Sequence, residues 1–398
     1  MPSSAAVHLS EAVPLKRRLL EVALLFLKLG FLGFGGPAVT IAMMEDEAVA
    51  RRQWLTREYF LDLIGTTNLI PGPNATEIAI HVGYLRAGKL GLVLGGACFI
   101  VPAALVTGVF GWAYVRFGAL PAVAPFLQGI KPAVLAVIVA ALWRLGKTAV
   151  KGWKLGLVGL TVLVAALLGV NEILALFAGG ILGMAWLQAA RIQELLKKVH
   201  VTMLGLLAPG IAPILRQGLD ATAGLSLWSL GLFFLKIGAV LYGSGYVLVA
   251  FLQGGLVDKL GWLTQQQLLD AIAIGQLTPG PLLSTATFIG YLLLGVPGAT
   301  VATVGVFLPS FLFVAALSPI VPRFRRSPWA ASFLDAVNVC SLGLMAAVSI
   351  ELGVATLRTW PAIVIALVAA ALGLRWKVNS TWLVLGGALA GWALSMLG

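Results

Sequence analysis

The sequence predicts an all-α integral membrane protein made of two inverted structural repeats of broken transmembrane helices, with about twelve to thirteen membrane segments. Three observations carry that expectation. Of the 398 residues, 60% are hydrophobic and 11% charged, with a mean hydropathy of +1.00, whereas soluble domains are charged at about a quarter of positions. One segment is written twice. The basic loops also change sides between the two copies.

The duplication runs from Phe26 to Pro73 and again from Phe234 to Pro281, without a gap, at an offset of 208. Over those 48 positions 18 residues are identical, among them Lys28/Lys236, Gly35/Gly243, Trp54/Trp262, Asp62/Asp270 and Pro71-Gly72-Pro73/Pro279-Gly280-Pro281. One deletion moves the offset to 207, where Gly83-Tyr84 meets Gly290-Tyr291 and Pro102 meets Pro309. The expected division is a first repeat over 1–198, a linker over 199–220 and a second repeat over 221–398.

Apolar units long enough to approach a bilayer's thickness, at about 20 residues each, follow in order. The first half carries 19–44, 59–84, 90–117, 123–145, 155–170 and 173–188; the second carries 227–252, 268–294, 296–320, 330–355, 362–374 and 380–397. Each run is continuously apolar, without the alternation of a barrel strand. The run after Lys16-Arg17-Arg18 resembles a signal peptide, but its repeat at Phe234 lies inside the chain, so it belongs to the mature fold. Cys98 and Cys340 fall inside apolar units and have no metal-ligand spacing.

Orientation follows from Lys and Arg. Lys16-Arg17-Arg18, the group Arg144, Lys147, Lys151 and Lys154, and the group Arg191, Lys197 and Lys198 share one side if every unit crosses from a cytoplasmic N-terminus. In the second half, Arg323, Arg325 and Arg326, then Arg375 and Lys377, fill the opposite gaps. Upside-down copies produce this flip. An even number of crossings cannot invert the next copy, so an extra crossing is expected over 199–215. Arg51, Arg52 and Arg57 break the pattern, although Glu45, Asp46, Glu47 and Glu58 surround them.

Helix breaks at membrane depth persist only where they are buried in protein or line a cavity. Four are readable: Gly33-Phe34-Gly35-Gly36-Pro37, its counterpart Tyr242-Gly243-Ser244-Gly245, and the two Pro-Gly-Pro sequences. Pro37 suits the first position of a new helix. Asn74-Ala75-Thr76-Glu77 reads as an N-cap with a glutamate three residues on, and Ser284 and Thr285 offer hydroxyls in the corresponding turn. Half-helix N-termini around a cavity bind anions; the alternative is that the breaks only bend packed helices.

Lys28 and Lys236 occupy matched positions in apolar helix, where a lysine costs about 2.5–3.5 kcal/mol. They are expected to line an anion cavity with Gly35, Gly36, Asn74, Thr76, Gly243, Ser244, Ser284 and Thr285; pairing with Asp62 or Asp270, or snorkelling, are the competing readings. Asp62, Asp270 and Glu77 are candidates for coupling or gating, or else for salt bridges and caps. Trp54 and Trp262 read as interfacial, and Thr56 and Thr264 as N-caps.

FLKLG, FGGP, WLT and PGPN in the first half, paired with FLKIG, YGSG, WLT and TPGP in the second, resemble the chromate ion transporter family over nearly the whole chain. The resemblance implies a multi-pass inner-membrane exporter of chromate, with sulfate as a related oxyanion and the halves oppositely oriented. Expected partners are chromate, sulfate and membrane lipids, with a homodimer left open, and no nucleic acid or cofactor. Import of sulfate or another oxyanion is the alternative within transport. An intramembrane enzyme acting on a lipid phosphate is disfavoured: His8, His81 and His200 are scattered, and no metal cluster or P-loop is readable.

Overall fold

The computed structural model describes residues 13–34, 36–118, 120–189, 224–243, 245–317 and 327–397. The expected linker crossing over 199–215, the basic group at 323–326 and two site candidates, Gly35 and Ser244, lie outside them. Among the described residues all regular structure is helical. The first repeat consists of α1 (Leu15–Leu32), α2 (Pro37–Glu45), α3 (Arg57–Thr67), α4 (Asn74–Phe117), α5 (Ala124–Ala149), α6 (Trp153–Leu167) and α7 (Glu172–Leu187). The second repeats that order as α8 (Leu227–Val240), α9 (Leu248–Leu252), α10 (Gln265–Leu277), α11 (Thr285–Leu317), α12 (Pro328–Thr356), α13 (Trp360–Arg375) and α14 (Ser380–Leu397). By length and composition Asn74–Phe117, Ala124–Ala149, Leu282–Ala316 and Pro328–Thr356 can cross a bilayer, and five shorter apolar helices accompany them.

The apolar units over 19–44 and 59–84 are hairpins instead of straight spans. Lys28 Nζ lies 2.6 Å from Glu47 Oε1. In one continuous helix, nineteen residues would separate them by about 28 Å. The chain therefore reverses at the Gly33–Pro37 break. Arg86 at the end of the next unit stacks over the Trp54 ring at 5.1 Å and pairs with Glu21 at 2.7 Å, so the Pro-Gly-Pro break is the tip of a second hairpin. The second repeat folds likewise: Phe233 of α8 lies 6.5 Å, ring to ring, from Trp262.

α4 is itself bent double at Ala87-Gly88, where Gly88 has φ +65°, and α11 reverses at Leu294-Gly295, where φ is +62°. Only a residue without Cβ enters this left-handed region at low cost. The two arms of α4 then press together through Gly83 and Gly91, and those of α11 through Gly290 and Gly298; a Cβ at any of the four would overlap the facing carbonyl. Small residues allow such close helix contact.

The repeats are inverted and interlocked. α5 and α12 occupy equivalent places, yet Lys151, just beyond the end of α5, pairs at 2.7 Å with Asp335 near the start of α12. They pack antiparallel, so the axis relating the copies runs across the bundle. Each copy gives its last two helices to the other. α6 and α7 pack on α12, while α13 and α14 pack on α5. Gly129 on α5 meets Gly387 and Gly391 on α14, and Gly179, Gly180 and Gly183 on α7 meet Cys340, Val337 and Ala336 on α12. The largest apolar core draws on both repeats, with Val134, Ile138 and Leu176 from the first, and Phe234, Phe288 and Leu344 from the second.

Candidate functional site

The four breaks meet. Pro71 and Pro73 have no N–H, so Gly72 carries the sole backbone donor of its tip, and it donates to Leu241 O at the break of the other repeat, 2.7 Å away. Reciprocally, Gly280 N–H donates to Gly33 O at 3.0 Å. The acceptor needs this help. Its helical donor four residues on would be Pro37, which has none.

Around these pins lies a cavity of about 320 Å³, roughly the space of ten waters. Gly36, Pro37 and Thr40 come from the first hairpin, Pro73, Asn74 and Ala75 from the second, and Gly243, Gly245, Tyr246, Pro281 and Leu282 from the equivalent tips of the other copy. α2 and α4 start at its wall with Pro37 and Asn74 as first residues. Their first N–H groups have no acceptor within the helix, so the wall presents donors and positive dipole ends. Asn74, Leu145 and Gly243 also line an adjoining cavity of about 520 Å³, which reaches Lys151 and Asp335. The inner chamber thus opens toward the face bearing Lys151.

Arg144 on α5 brings a full positive charge to the chamber wall. Among the described residues no carboxylate is within ion-pair distance of it. In the sequence Arg144 reads only as part of a basic loop. The signal that could have found it is the repeat: at the offset of 207 its counterpart is Glu351, so the copies carry opposite charges there.

The lysines are elsewhere. Lys28, half-exposed, is held by Glu47, which also accepts from Arg52 at 3.2 Å; its partner is neither of the aspartates expected. Lys236, also exposed, sits in the field of Lys259 and Glu172. Neither lines the chamber. Asn74 is not an N-cap: Pro73 takes that position without a side-chain bond, and the Asn74 amide instead donates to Asn68 Oδ1. Gly36 and Gly243 do face the chamber. Thr76, Ser284 and Thr285 are buried behind its wall, and the Thr285 hydroxyl donates to Leu282 O at 2.8 Å.

The two aspartates have parted company. Asp62 is exposed. Asp270 is buried, accepts from the Tyr114 hydroxyl at 2.8 Å and has Lys131 Nζ at 3.7 Å. Lys131 lies on α5 thirteen residues before Arg144, about 20 Å along a helix. This cluster ties α4, α5 and α10 together on the side away from the open vestibule. Glu77 is fully buried one turn into α4.

A chamber of helix N-termini, backbone donors and one guanidinium suits a small anion. The family model described as "Chromate transporter" matches residues 20–184 and again 228–392. The chain belongs to the chromate transporter family. A chromate transport protein of Cupriavidus metallidurans is 32% identical over 98% of this chain and 95% of its own length. One from Pseudomonas aeruginosa is 31% identical, covering 98% and 96%. An uncharacterised transporter of Methanocaldococcus jannaschii is 26% identical, covering 83% and 84%. No solved structure matches. The transporter is a two-repeat membrane protein whose relatives are named for transport, not for an enzymatic reaction.

Proposed function

We propose that this transporter exports chromate across the inner membrane, with its N-terminus in the cytoplasm and the chamber between the four breaks as the substrate site. The observation that carries the reading is the chamber itself: two helix N-termini of the first repeat, the tips of the second and Arg144 surround it, and among the described residues no carboxylate lines it. A tetrahedral dianion suits the first copy's helix ends and Arg144, with the second copy's tips closing the chamber, and sulfate shares its shape and charge. With the Lys151 face cytoplasmic, the vestibule described above admits substrate from inside while the Asp270 cluster closes the far side.

The membrane potential supplies the drive. At about 2.3 kcal/mol per charge per 100 mV, a dianion leaving a negative interior gains about 4.6 kcal/mol. At about 1.4 kcal/mol per decade this sustains a gradient of more than a thousandfold. The test is chromate flux in proteoliposomes containing only this protein, with the potential imposed in either direction. Chromate should move toward the positive side and sulfate should compete. No chromate flux in either direction would overturn the reading, and flux of sulfate alone would make this a sulfate permease.

A further inference from the structure

Glu77 lies behind the part of the chamber wall formed by Pro73, Asn74 and Ala75. Among the described residues neither of its carboxyl oxygens has a hydrogen-bond partner, and neither has the buried Ser310 hydroxyl across from it. Both side chains reach the space in front of Gly72, where an added Cβ would run into them. Few ionisable groups surround this pocket. From the tip of the second repeat the Tyr242 phenol faces Glu77, and on α4 itself His81 follows one turn later. Lys28 on α1 is engaged by Glu47, Asp62 on α3 is exposed, and Asp270 on α10 is held by Tyr114 and Lys131. No cation balances Glu77 among the described residues.

A carboxylate buried without partner or counter-charge is strongly disfavoured, and a dianion in the next chamber disfavours it further. We infer that Glu77 is a proton-binding site coupled to the oxyanion chamber, so that each bound dianion is accompanied by one proton on this carboxyl. The step is Glu77–COO⁻ plus H⁺ from solvent giving Glu77–COOH; the proton leaves with the anion, so a turnover that carries both outward moves one net negative charge and the potential's drive on the bare dianion is halved. The inference rests on the chamber being the oxyanion site. Coupling is reciprocal: protonation tightens anion binding, and the anion raises proton occupancy. Affinity is therefore highest at low pH and falls as pH rises through the titration of Glu77, by at most about tenfold per pH unit for one proton.

The test measures sulfate and chromate binding to the purified full-length protein between about pH 5.5 and 8.5, for the wild type and Glu77→Gln. Sulfate stays a dianion over this range. Chromate itself takes up a proton near neutrality, which the ratio of the two proteins' affinities cancels. Glutamine has the shape of the neutral acid and cannot titrate, so the wild-type affinity should fall with pH while the variant's sulfate affinity stays level. Equal pH dependence in both proteins would overturn the proposal alone; absence of any oxyanion binding would take the chamber reading with it. If the variant does not reach the membrane, infrared difference spectra of the wild type decide. Sulfate should raise the band of a protonated carboxyl, and no rise overturns the proposal.

Discussion

Replacing Gly280 by alanine tests whether the two repeats are pinned through their tips. Gly280 has φ +88°, and its N–H reaches Gly33 O at 3.0 Å. A Cβ there would lie 2.7 Å from the Cβ of Ala103 and 3.4 Å from Gly30 O, neither of which can rotate away. The left-handed backbone costs alanine about 1–2 kcal/mol, the overpacking about 1–3 kcal/mol, and the weakened hydrogen bond about 0.5–1.5 kcal/mol. Together these give about 3–6 kcal/mol. Gly295→Ala is the control, with φ +62°, ψ −150° and nothing within 4 Å of the new Cβ, so it should lose only the backbone part, about 1–3 kcal/mol. Thermal unfolding in detergent should rank Gly280→Ala clearly below Gly295→Ala, and proteoliposome flux of chromate should fall at least about tenfold in the first and stay near wild type in the second. Equal unfolding midpoints, or full flux from Gly280→Ala, would show that the pins do not hold the chamber.

Arg144→Gln should reduce chromate flux by roughly ten- to a hundredfold, as expected for about 1.5–3 kcal/mol of charge-assisted hydrogen bonding lost, while Glu351→Gln should change it little; flux assays on both separate the copies. Lys28→Gln removes one of the three cations close to Glu47 but leaves Arg51 and Arg52, and it lies away from the chamber; chromate affinity should stay within about twofold, read by competition binding. Cysteines replacing Lys154 and Asp335, in a background lacking Cys98 and Cys340, should be labelled by an impermeant thiol reagent from the same side of the membrane. Labelling from opposite sides would contradict the antiparallel packing of α5 and α12.

The duplicated motifs made the architecture legible, because a helix break must be written in Gly and Pro and an inverted copy must move its basic residues. Pro37 opens α2, and Thr56 and Thr264 cap α3 and α10 through Tyr59 and Gln267. What could not be read was how far each apolar unit travels before it turns. Hydropathy is the same for a span as for a hairpin, and only contacts such as Lys28–Glu47 distinguish them. The same ambiguity displaced the site. In straight helices the matched lysines point to a shared cavity, but once the chain reverses, Lys28 finds Glu47. Arg144 went unnoticed because charge at the end of an apolar run ordinarily marks a loop, and a single chain gives no reason to contrast it with Glu351. Glu77 reads in the sequence both as half of a capping box and as a coupling candidate; its side chain is fully buried and caps nothing.

The exchange of terminal helices between repeats has a consequence for biogenesis. When α5 leaves the ribosome, the helices that cover it, α13 and α14, begin more than two hundred residues later. The first half must therefore wait in the bilayer with an apolar flank facing lipid, which costs little there because lipid is as apolar as a neighbouring helix. Closure is a late event of long sequence separation, the kind that folds slowly. A chain interrupted before α12 would insert yet have nothing to cover α6 and α7, so quality control of this transporter falls on about the final fifth of translation. Two half-chains made separately and present together would carry every contact the intact chain has.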